Sequence, residues 1–118
     1  MVLENANLLL IGPDDATREF LAPLIASMPQ PIVSCDGAAP EFRSGPVGSL
    51  IVRDVAWLTG TDQQMLLDWL NGEGCGTRVV ATSATDVCPD VKSGLFSADL
   101  YYRLNTVTLM LDHRDAAA

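Results

Sequence analysis

The sequence lacks an excess of positive charge, a long apolar run and a framework of paired cysteines. Its 118 residues include 7 lysines and arginines against 15 aspartates and glutamates, which gives a net charge of −8. Because an acidic surface repels the phosphate backbone, we expect no direct contact with nucleic acid. No apolar stretch approaches the roughly 20 residues that span a bilayer, so we also expect no membrane partner.

The start of the chain, MVLENAN, has no lysine or arginine and so lacks the basic flank of a secretory signal peptide. Cys35, Cys75 and Cys88 are odd in number and show no C-x-x-C spacing. We interpret them as reduced thiols of a cytoplasmic protein. A metal site that combined them with the single histidine, His113, would lack the usual ligand spacing, and we expect no metal.

Short apolar runs alternate with helical patterns along the chain. Five runs predict buried strands: NLLLIG, PIVSC, SLIVRDV, TRVVATS and TVTLML. Three segments have helical patterns: DDATREFLAPLIASM, TDQQMLLDWLNG and SADLYYRL. The segments DGAAPEFRSGPVG and ATDVCPDVKSG are typical of loops. This order predicts one α/β domain with a five-stranded parallel sheet and helices on both faces.

The helical patterns also predict caps and buried faces. We expect Asp14 or Asp15 to cap the first helix, and Thr61 and Gln64 to form a capping box in the second. The expected apolar faces are Phe20, Leu21, Leu24, Ile25 and Met28 in the first helix, Met65, Leu66, Trp69 and Leu70 in the second, and Phe96, Leu100 and Leu104 beside the last strand. Trp57, Tyr101 and Tyr102 are interpreted as packing residues.

Ligands of parallel α/β sheets bind beyond the carboxyl ends of the strands. In this chain those positions are residues 12–19, 53–56 and 83–86. The candidate functional residues are therefore sought in these three loops.

Four segments together resemble the central AAA+ ATPase domain of sigma-54-dependent transcriptional activators, the NtrC-like bacterial enhancer-binding proteins. GLFSADLYYRLNTVTLML resembles the family segment G-x-F-R-x-D-L-Y-Y-R-L-N-V-x-x-x-x-L, and RVVATSATDV resembles R-I-I-A-A-T-N-R-D-L. GSLIVRDVAWL is similar to the Walker B strand G-T-L-F-L-D-E-I-G-x-L. LLLIGPDDATRE stands in the place of the Walker A loop, L-I-x-G-E-S-G-T-G-K-E. The resemblance implies a three-layer P-loop NTPase-like fold.

The chain departs from the family at the phosphate-binding positions. Gly12 and Glu19 agree with the Walker A pattern, but later glycine positions carry Asp15 and Thr17, and the lysine position carries Arg18. A phosphate loop needs glycines for its unusual backbone, and added carboxylates oppose a triphosphate. We expect Arg18 to pair with a neighbouring carboxylate rather than with an anion.

Further departures affect the positions that the family uses for metal and for sensing nucleotide. Arg53 stands in the position of the metal-organising aspartate, and Asp54 stands in the position of the glutamate next to it. Ala84 replaces the sensor asparagine, and Ser97 replaces the first arginine of a pair. Only the second arginine, Arg103, remains. In the family these arginines reach toward a neighbouring subunit. Arg53 and Asp54 are either an ion pair or two separately solvated charges.

The resemblance, with these losses, predicts a degenerate and non-catalytic sigma-54-interaction AAA+ core over residues 1–118. The segment that corresponds to the sigma-54-contacting insert is short, and we expect no lid and no DNA-binding domain. We expect no resident cofactor, although the resemblance implies ATP and Mg²⁺ for the family. The expected partner is a protein, either an intact activator subunit or a second copy of this chain.

Two alternatives remain open from the sequence. One is a residual ATP-binding protein that uses Arg18 and Asp54 in altered roles. The other is a phospho-accepting response-regulator receiver, for which Asp14, Asp15, Asp54 and Ser83 (or Thr82) have plausible order along the chain. The receiver's lysine after the fifth strand is missing, and this alternative leaves GLFSADLYYRLN unexplained.

Overall fold

The computed structural model describes residues 7–41 and 47–111. The predicted chain start and tail, with His113, and part of the predicted loop before the third strand lie outside these ranges. The strands are β1 (Leu8–Ile11), β2 (Ile32–Asp36), β3 (Ser49–Arg53), β4 (Arg78–Ser83) and β5 (Val107–Met110). They form one sheet of order β2-β3-β4-β1-β5, and every neighbouring pair is parallel. The predicted five-stranded parallel sheet is confirmed.

Within residues 7–41 and 47–111, four α-helices accompany the sheet: α1 (Asp14–Ile25), α2 (Gly60–Asn71), α3 (Cys88–Ser93) and α4 (Ala98–Leu104). A short 3-10 helix, Val55–Trp57, follows β3. The prediction that ATDVCPDVKSG is entirely loop was wrong, because α3 lies within it. The Asp86 carboxylate accepts a hydrogen bond from the Cys88 amide at 3.0 Å, and Gly94 ends the helix with φ of +85°.

The helices lie on both faces, as predicted, for a reason that follows from strand order. The connection from β1 to β2 runs along the sheet in one direction, whereas the later connections run in the other. Since parallel crossovers are right-handed, α1 covers one face and the later helices cover the opposite face. Leu8, Leu10, Ile51 and Val80 pack with Leu21 of α1 in one core cluster. A second cluster joins the other sheet face to α2 and α4, and it includes Leu66, Leu70, Leu100 and Leu104.

The strand order overturns the receiver alternative. Receivers are built on a flavodoxin-like sheet of order 2-1-3-4-5, in which β1 lies between β2 and β3. Here β1 lies between β4 and β5. The four residues proposed for phosphate acceptance therefore follow strands in a different arrangement.

Two predicted helix caps were also wrong. Asp14 and Asp15 are already inside α1, whose N-cap is Pro13 and has no side-chain hydrogen bond. In α2 the N-cap is Thr59, whose hydroxyl accepts from the Asp62 amide at 3.1 Å. Helical structure begins at Gly60, so the predicted capping residue Thr61 lies within the first turn.

The predicted core is largely correct, with four exceptions, one of which is Ile25 at the end of α1, whose exposed fraction is 37%. Phe96, Leu100 and Leu104 are buried, as the helical spacing predicted. By contrast, 71% of Trp57, 52% of Met65 and 74% of Tyr102 are exposed, so these side chains do not pack in the core. In α2 the face that meets the sheet is rotated, and Gln63 is buried instead of Met65.

Gln63 joins three segments through its side-chain amide. The amide nitrogen donates to the carbonyl oxygens of Leu58 and Leu95, each at 3.0 Å. The amide oxygen accepts from the Ser97 backbone N–H at 2.7 Å. Gln63 thus connects the turn after β3 to the segment between α3 and α4.

Among the described residues no helix is long and apolar enough to cross a bilayer.

Replacing Gln63 by alanine should destabilise the domain by about 2–4 kcal/mol, because three backbone groups in buried or half-buried positions lose their partner. Urea unfolding followed by circular dichroism measures this free energy. The matched control is Gln64→Ala, since Gln64 is exposed and bonds only to the Asp68 carboxylate in its own helix. The control should lose less than about 0.5 kcal/mol. Equal losses in the two variants would contradict the role assigned to Gln63.

Gly12 is required by packing at the end of β1. A Cβ on Gly12 would overlap the backbone carbonyl oxygen of Leu111, which follows β5. In the same place the Gly12 N–H donates to the Ser83 carbonyl at 2.9 Å, and the Leu111 N–H donates to the Ile11 carbonyl at 2.7 Å. Gly12 therefore lets three parallel strands end side by side.

The variant Gly12→Ala should lose about 1–3 kcal/mol of unfolding free energy, because the added methyl group displaces the β5 backbone. Gly60→Ala is the control, since no atom lies within 4 Å of a Cβ placed there. Alanine favours the helix by up to about 1 kcal/mol, so the control should be unchanged or more stable. The two glycines behaving alike in thermal or urea unfolding would disprove this packing role.

Candidate functional site

The connection between β1 and α1 is short. Only Gly12 and Pro13 separate the end of β1 at Ile11 from the start of α1 at Asp14. The residues in the later Walker A positions, from Asp14 to Glu19, therefore lie in the helix and do not form an open loop. Helical amides are directed along the helix axis, so they do not converge as the amides of a phosphate-binding loop do.

Arg18, in the lysine position, pairs within its own helix. Its guanidinium contacts the Asp14 carboxylate at 2.5 Å, and 72% and 66% of the two side chains are exposed. This is the neighbouring-carboxylate pairing that the sequence predicted. Exposed pairs of this kind contribute about 0.5 kcal/mol or less. Glu19 lies one residue further along α1 and is exposed.

Arg53 and Asp54 stand at the carboxyl end of β3 without forming an ion pair with each other. Arg53 is the last residue of β3 and is exposed, and its guanidinium has no hydrogen bond or ion pair with any described residue. Asp54 adopts a left-handed backbone with φ of 56°, and its N–H donates to the Thr82 hydroxyl at 3.2 Å. A left-handed backbone is costly for a residue with a side chain and is common at functional positions.

The sensor position is also placed at this edge. Ala84 is exposed just after β4 and presents only a methyl group. Beside it the buried Ser83 hydroxyl donates to the Thr85 carbonyl at 2.6 Å, which holds the turn after the strand. The turn is thus stabilised from within and presents no side-chain amide.

Ser97 and Arg103 both serve helix ends in this chain. The Ser97 hydroxyl accepts from the Leu100 amide at 3.2 Å and caps the start of α4. Arg103 donates to the Leu70 carbonyl at 3.0 Å and to the Asn71 side-chain oxygen, at the carboxyl end of α2. A cation at this end of a helix is favoured by the helix dipole. The two arginine-pair positions therefore stabilise α4 and α2.

The three cysteines differ in environment. Cys35 is buried and Cys88 is half-buried, whereas Cys75 is exposed. Burial raises the pKa of the Cys35 thiol, and the nearby Asp36 and Glu41 carboxylates add to this, although a hydrogen bond from the Glu41 backbone opposes it. The thiol therefore stays protonated at neutral pH and is a poor nucleophile. Burial also raises the pKa of Tyr101.

A groove of about 280 Å³ lies between α1 and the sheet, and we call it the α1 groove. Its α1 wall consists of Asp14, Thr17, Arg18, Leu21, Ala22 and Ile25. The sheet supplies Ile32 and Ser34 from β2, Ile51 and Arg53 from β3, and Thr82 from β4. Sequence reasoning missed this groove. Its lining includes the small Ala22 and the polar Ser34, but neither residue type by itself signals a space between a helix and a sheet.

Of the three loops sought in the sequence, the structure brings together residues of the first two, and Thr82 from the end of β4 joins them. Asp14, Arg18, Arg53 and Thr82 line one groove. Ser97 and Arg103 belong instead to the α2–α4 side of the sheet.

The sequence did not indicate that Gln63 is buried, because a glutamine in an amphipathic helix is ordinarily exposed. Among the described residues no three histidine, cysteine, aspartate or glutamate side chains are grouped as metal ligands.

Comparison with solved structures supports the fold. The domain superposes on NtrX from Brucella abortus in complex with ADP with a TM-score of 0.68 and 21% identity, over 92% of this chain and 32% of that one. It superposes on the P-loop NTPase domain of a sigma-54 transport activator from E. coli with a TM-score of 0.66 and 18% identity, over 96% of this chain and 89% of that one. The five-stranded α/β domain therefore has the P-loop NTPase fold, as predicted.

Comparison of sequences identifies relatives among transcriptional regulators. The HTH-type transcriptional regulatory protein TyrR of Citrobacter braakii is 32% identical over 114 residues, which cover 81% of this chain and 22% of the relative. TyrR of Salmonella typhimurium matches to the same extent, at 32% identity and 22% of its length. The chain thus spans about a fifth of the length of these relatives. The family model described as the sigma-54 interaction domain matches residues 2–113. The chain therefore belongs to the sigma-54 interaction domain family.

Proposed function

We propose that this domain acts in bacterial transcription regulation through protein–protein contacts and does not hydrolyse ATP. The observation that carries the proposal is the short connection after β1, in which the Walker A positions are part of α1. Phosphoryl transfer depends on positioning and on charge neutralisation of the phosphates. A helix that begins with two carboxylates, Asp14 and Asp15, provides neither of these.

The charges at this edge argue against a triphosphate. Two like charges 4 Å apart repel by about 4 kcal/mol at an effective dielectric of 20. Asp14 neutralises Arg18, which is the cation in the lysine position. Nucleotide phosphates would therefore have to break this pair or approach the Asp14 carboxylate directly.

The residues at this edge also disfavour the binding of Mg²⁺. Mg²⁺ is held by carboxylate oxygens and phosphates. Arg53 places a cation where the resemblance implies a metal-organising aspartate. Asp54 is next to it, but its left-handed backbone is held through the Thr82 hydroxyl. We infer that the domain has no resident ATP or Mg²⁺.

The resemblance implies that, in family members with both arginines of the pair, these side chains reach toward the nucleotide of a neighbouring subunit. In this chain Ser97 caps α4 and Arg103 binds the end of α2. A domain built in this way could join an assembly of activator subunits without completing a nucleotide site. The proposed partner is accordingly an intact sigma-54 activator subunit or a second copy of this domain, and the place of action is the cytoplasm.

Titration with Mg-ATP in a calorimeter should give no saturable heat at submillimolar concentration, because the site lacks both the amide cradle and the metal ligands. Saturable binding at micromolar concentration that is lost in Arg18→Ala would overturn the non-catalytic proposal. That outcome would favour a residual ATP-binding protein. Arg18→Ala should itself leave stability within about 0.5 kcal/mol of the parent, because the ion pair is exposed.

Mixing the domain with a purified, catalytically intact sigma-54 activator AAA+ domain should lower ATP turnover per active subunit in a saturable manner. The reason is that each inserted copy interrupts a site shared between neighbours. A coupled ATPase assay at increasing molar ratio measures the effect, with an unrelated acidic protein of similar size as the control. Unchanged turnover together with no co-sedimentation would exclude the activator as the partner, and self-association would then be tested by the domain's own sedimentation behaviour.

A further inference from the structure

We propose that the α1 groove binds a small amphiphilic monoanion, namely a straight-chain alkyl carboxylate. Its carboxylate would lie against Arg53 and Thr82, and its alkyl chain would lie between α1 and the sheet. This ligand is distinct from the nucleotide of the family, and the proposal does not depend on the proposed function.

The first support is the shape of the groove. Its α1 residues recur from Asp14 to Ile25 at spacings of three and four, so it follows the whole length of the helix. A helix of 12 residues is about 18 Å long. A groove volume of about 280 Å³ spread over that length leaves only a small cross-section, so the groove is narrow. An α-helix with side chains is about 10–12 Å in diameter and does not fit such a space. The groove therefore suits one slender molecule.

The second support is the distribution of polarity along the groove. The end near the amino edge of the sheet is aliphatic, with Ile25 from the end of α1 and Ile32 from the start of β2, and Leu21 and Ile51 continue this lining. The end at the carboxyl edge is polar, with Arg53 and Thr82 from neighbouring strands. An apolar chain with one charged head has the same asymmetry. Among the described residues no aromatic side chain lines the groove, which favours an alkyl chain over a ring.

The third support is that both head-group donors have unused capacity. Arg53 makes no side-chain hydrogen bond or ion pair within the described residues. The Thr82 side chain is 6% exposed, and its oxygen accepts from the Asp54 amide, while no described residue accepts its hydroxyl proton. Together they provide a guanidinium and a buried hydroxyl, a pair that suits a carboxylate.

The surrounding charges favour a single negative charge on the ligand. The chain carries a net charge of −8, so a non-specific anion is repelled. Asp14 lines the groove, and Asp36 and Glu41 line a neighbouring depression together with Arg53, so a doubly charged phosphate would be repelled by these carboxylates more strongly than a monoanion. A monocarboxylate satisfies Arg53 with less repulsion.

The test uses decanoate at concentrations below micelle formation, with binding measured by calorimetry and located by amide chemical shifts. Decanoate should bind saturably and shift residues of α1, β2 and β3. Decanol should bind at least about tenfold more weakly, because it lacks the charge that Arg53 pairs with. Each methylene removed from the acid should weaken binding about fourfold until the chain no longer fills the groove. Decyl phosphate should bind no more tightly than decanoate.

Three variants complete the test. Arg53→Gln should weaken decanoate binding about tenfold or more and leave decanol unaffected. Lys92→Gln is the matched control, since it removes the same charge from the exposed face of α3, on the opposite side of the sheet. Ala22→Trp should abolish binding of both ligands by filling the groove. Absence of saturable decanoate binding, equal affinity for decanoate and decanol, or full binding by folded Ala22→Trp would each overturn the proposal.

Discussion

The position of β1 between β4 and β5 is the constraint on which the rest of the structure depends. All four β1 side chains are buried, and the strand forms hydrogen-bonded pairs on both sides. The chain leaves β1 in one direction along the sheet and makes its later connections in the other direction. Because parallel crossovers are right-handed, α1 must cover one sheet face and the later helices the other. The carboxyl end of β1 must also fit against the end of β5, and Gly12 is the residue that permits this contact. The glycine that the resemblance places in a phosphate loop is therefore required by the sheet itself.

The α2–α4 side of the sheet shows how residues at nucleotide-handling positions of the family can serve the fold. Ser97 satisfies an amide at the start of α4, a type of cap that contributes about 1 kcal/mol. Arg103 satisfies a carbonyl and an amide oxygen at the end of α2. Gln63 connects these elements, because it bonds to the Ser97 amide and to the turns on either side. The segment GLFSADLYYRLN is thus held by polar contacts at its start and end and by Phe96, Leu100 and Leu104 in its interior. These contacts give the segment a structural role in this chain that requires no nucleotide.

The sequence predicted the strands, the parallel sheet and three of the helices, because these depend on periodicity and on short apolar runs. It did not predict α3, whose six residues are too few for a periodic signal and whose start depends on one Asp86 hydrogen bond. It placed the α2 cap two residues late, since Thr59 and Thr61 have the same chemistry and only the backbone distinguishes them. It assigned Trp57 to the core and missed Gln63, because burial in these cases is decided by the rotation of α2 and by the turn after β3. The α1 groove arises from the distance between two elements, which no local pattern reports.

The charges at the carboxyl edge are the physical basis of the proposal that the site does not hold nucleotide. Each cation there has an acidic neighbour: Asp14 pairs with Arg18, and Asp36 and Asp54 are next to Arg53 across the sheet and along the chain. A polyanion such as ATP needs a concentrated positive field, and Mg²⁺ needs a concentrated negative one. An edge of alternating sign provides neither, since the nearest charges oppose each other within a few residues. Such an edge is compatible with a protein surface or with a single small anion at Arg53, because both need only one or two complementary contacts and no accumulated field.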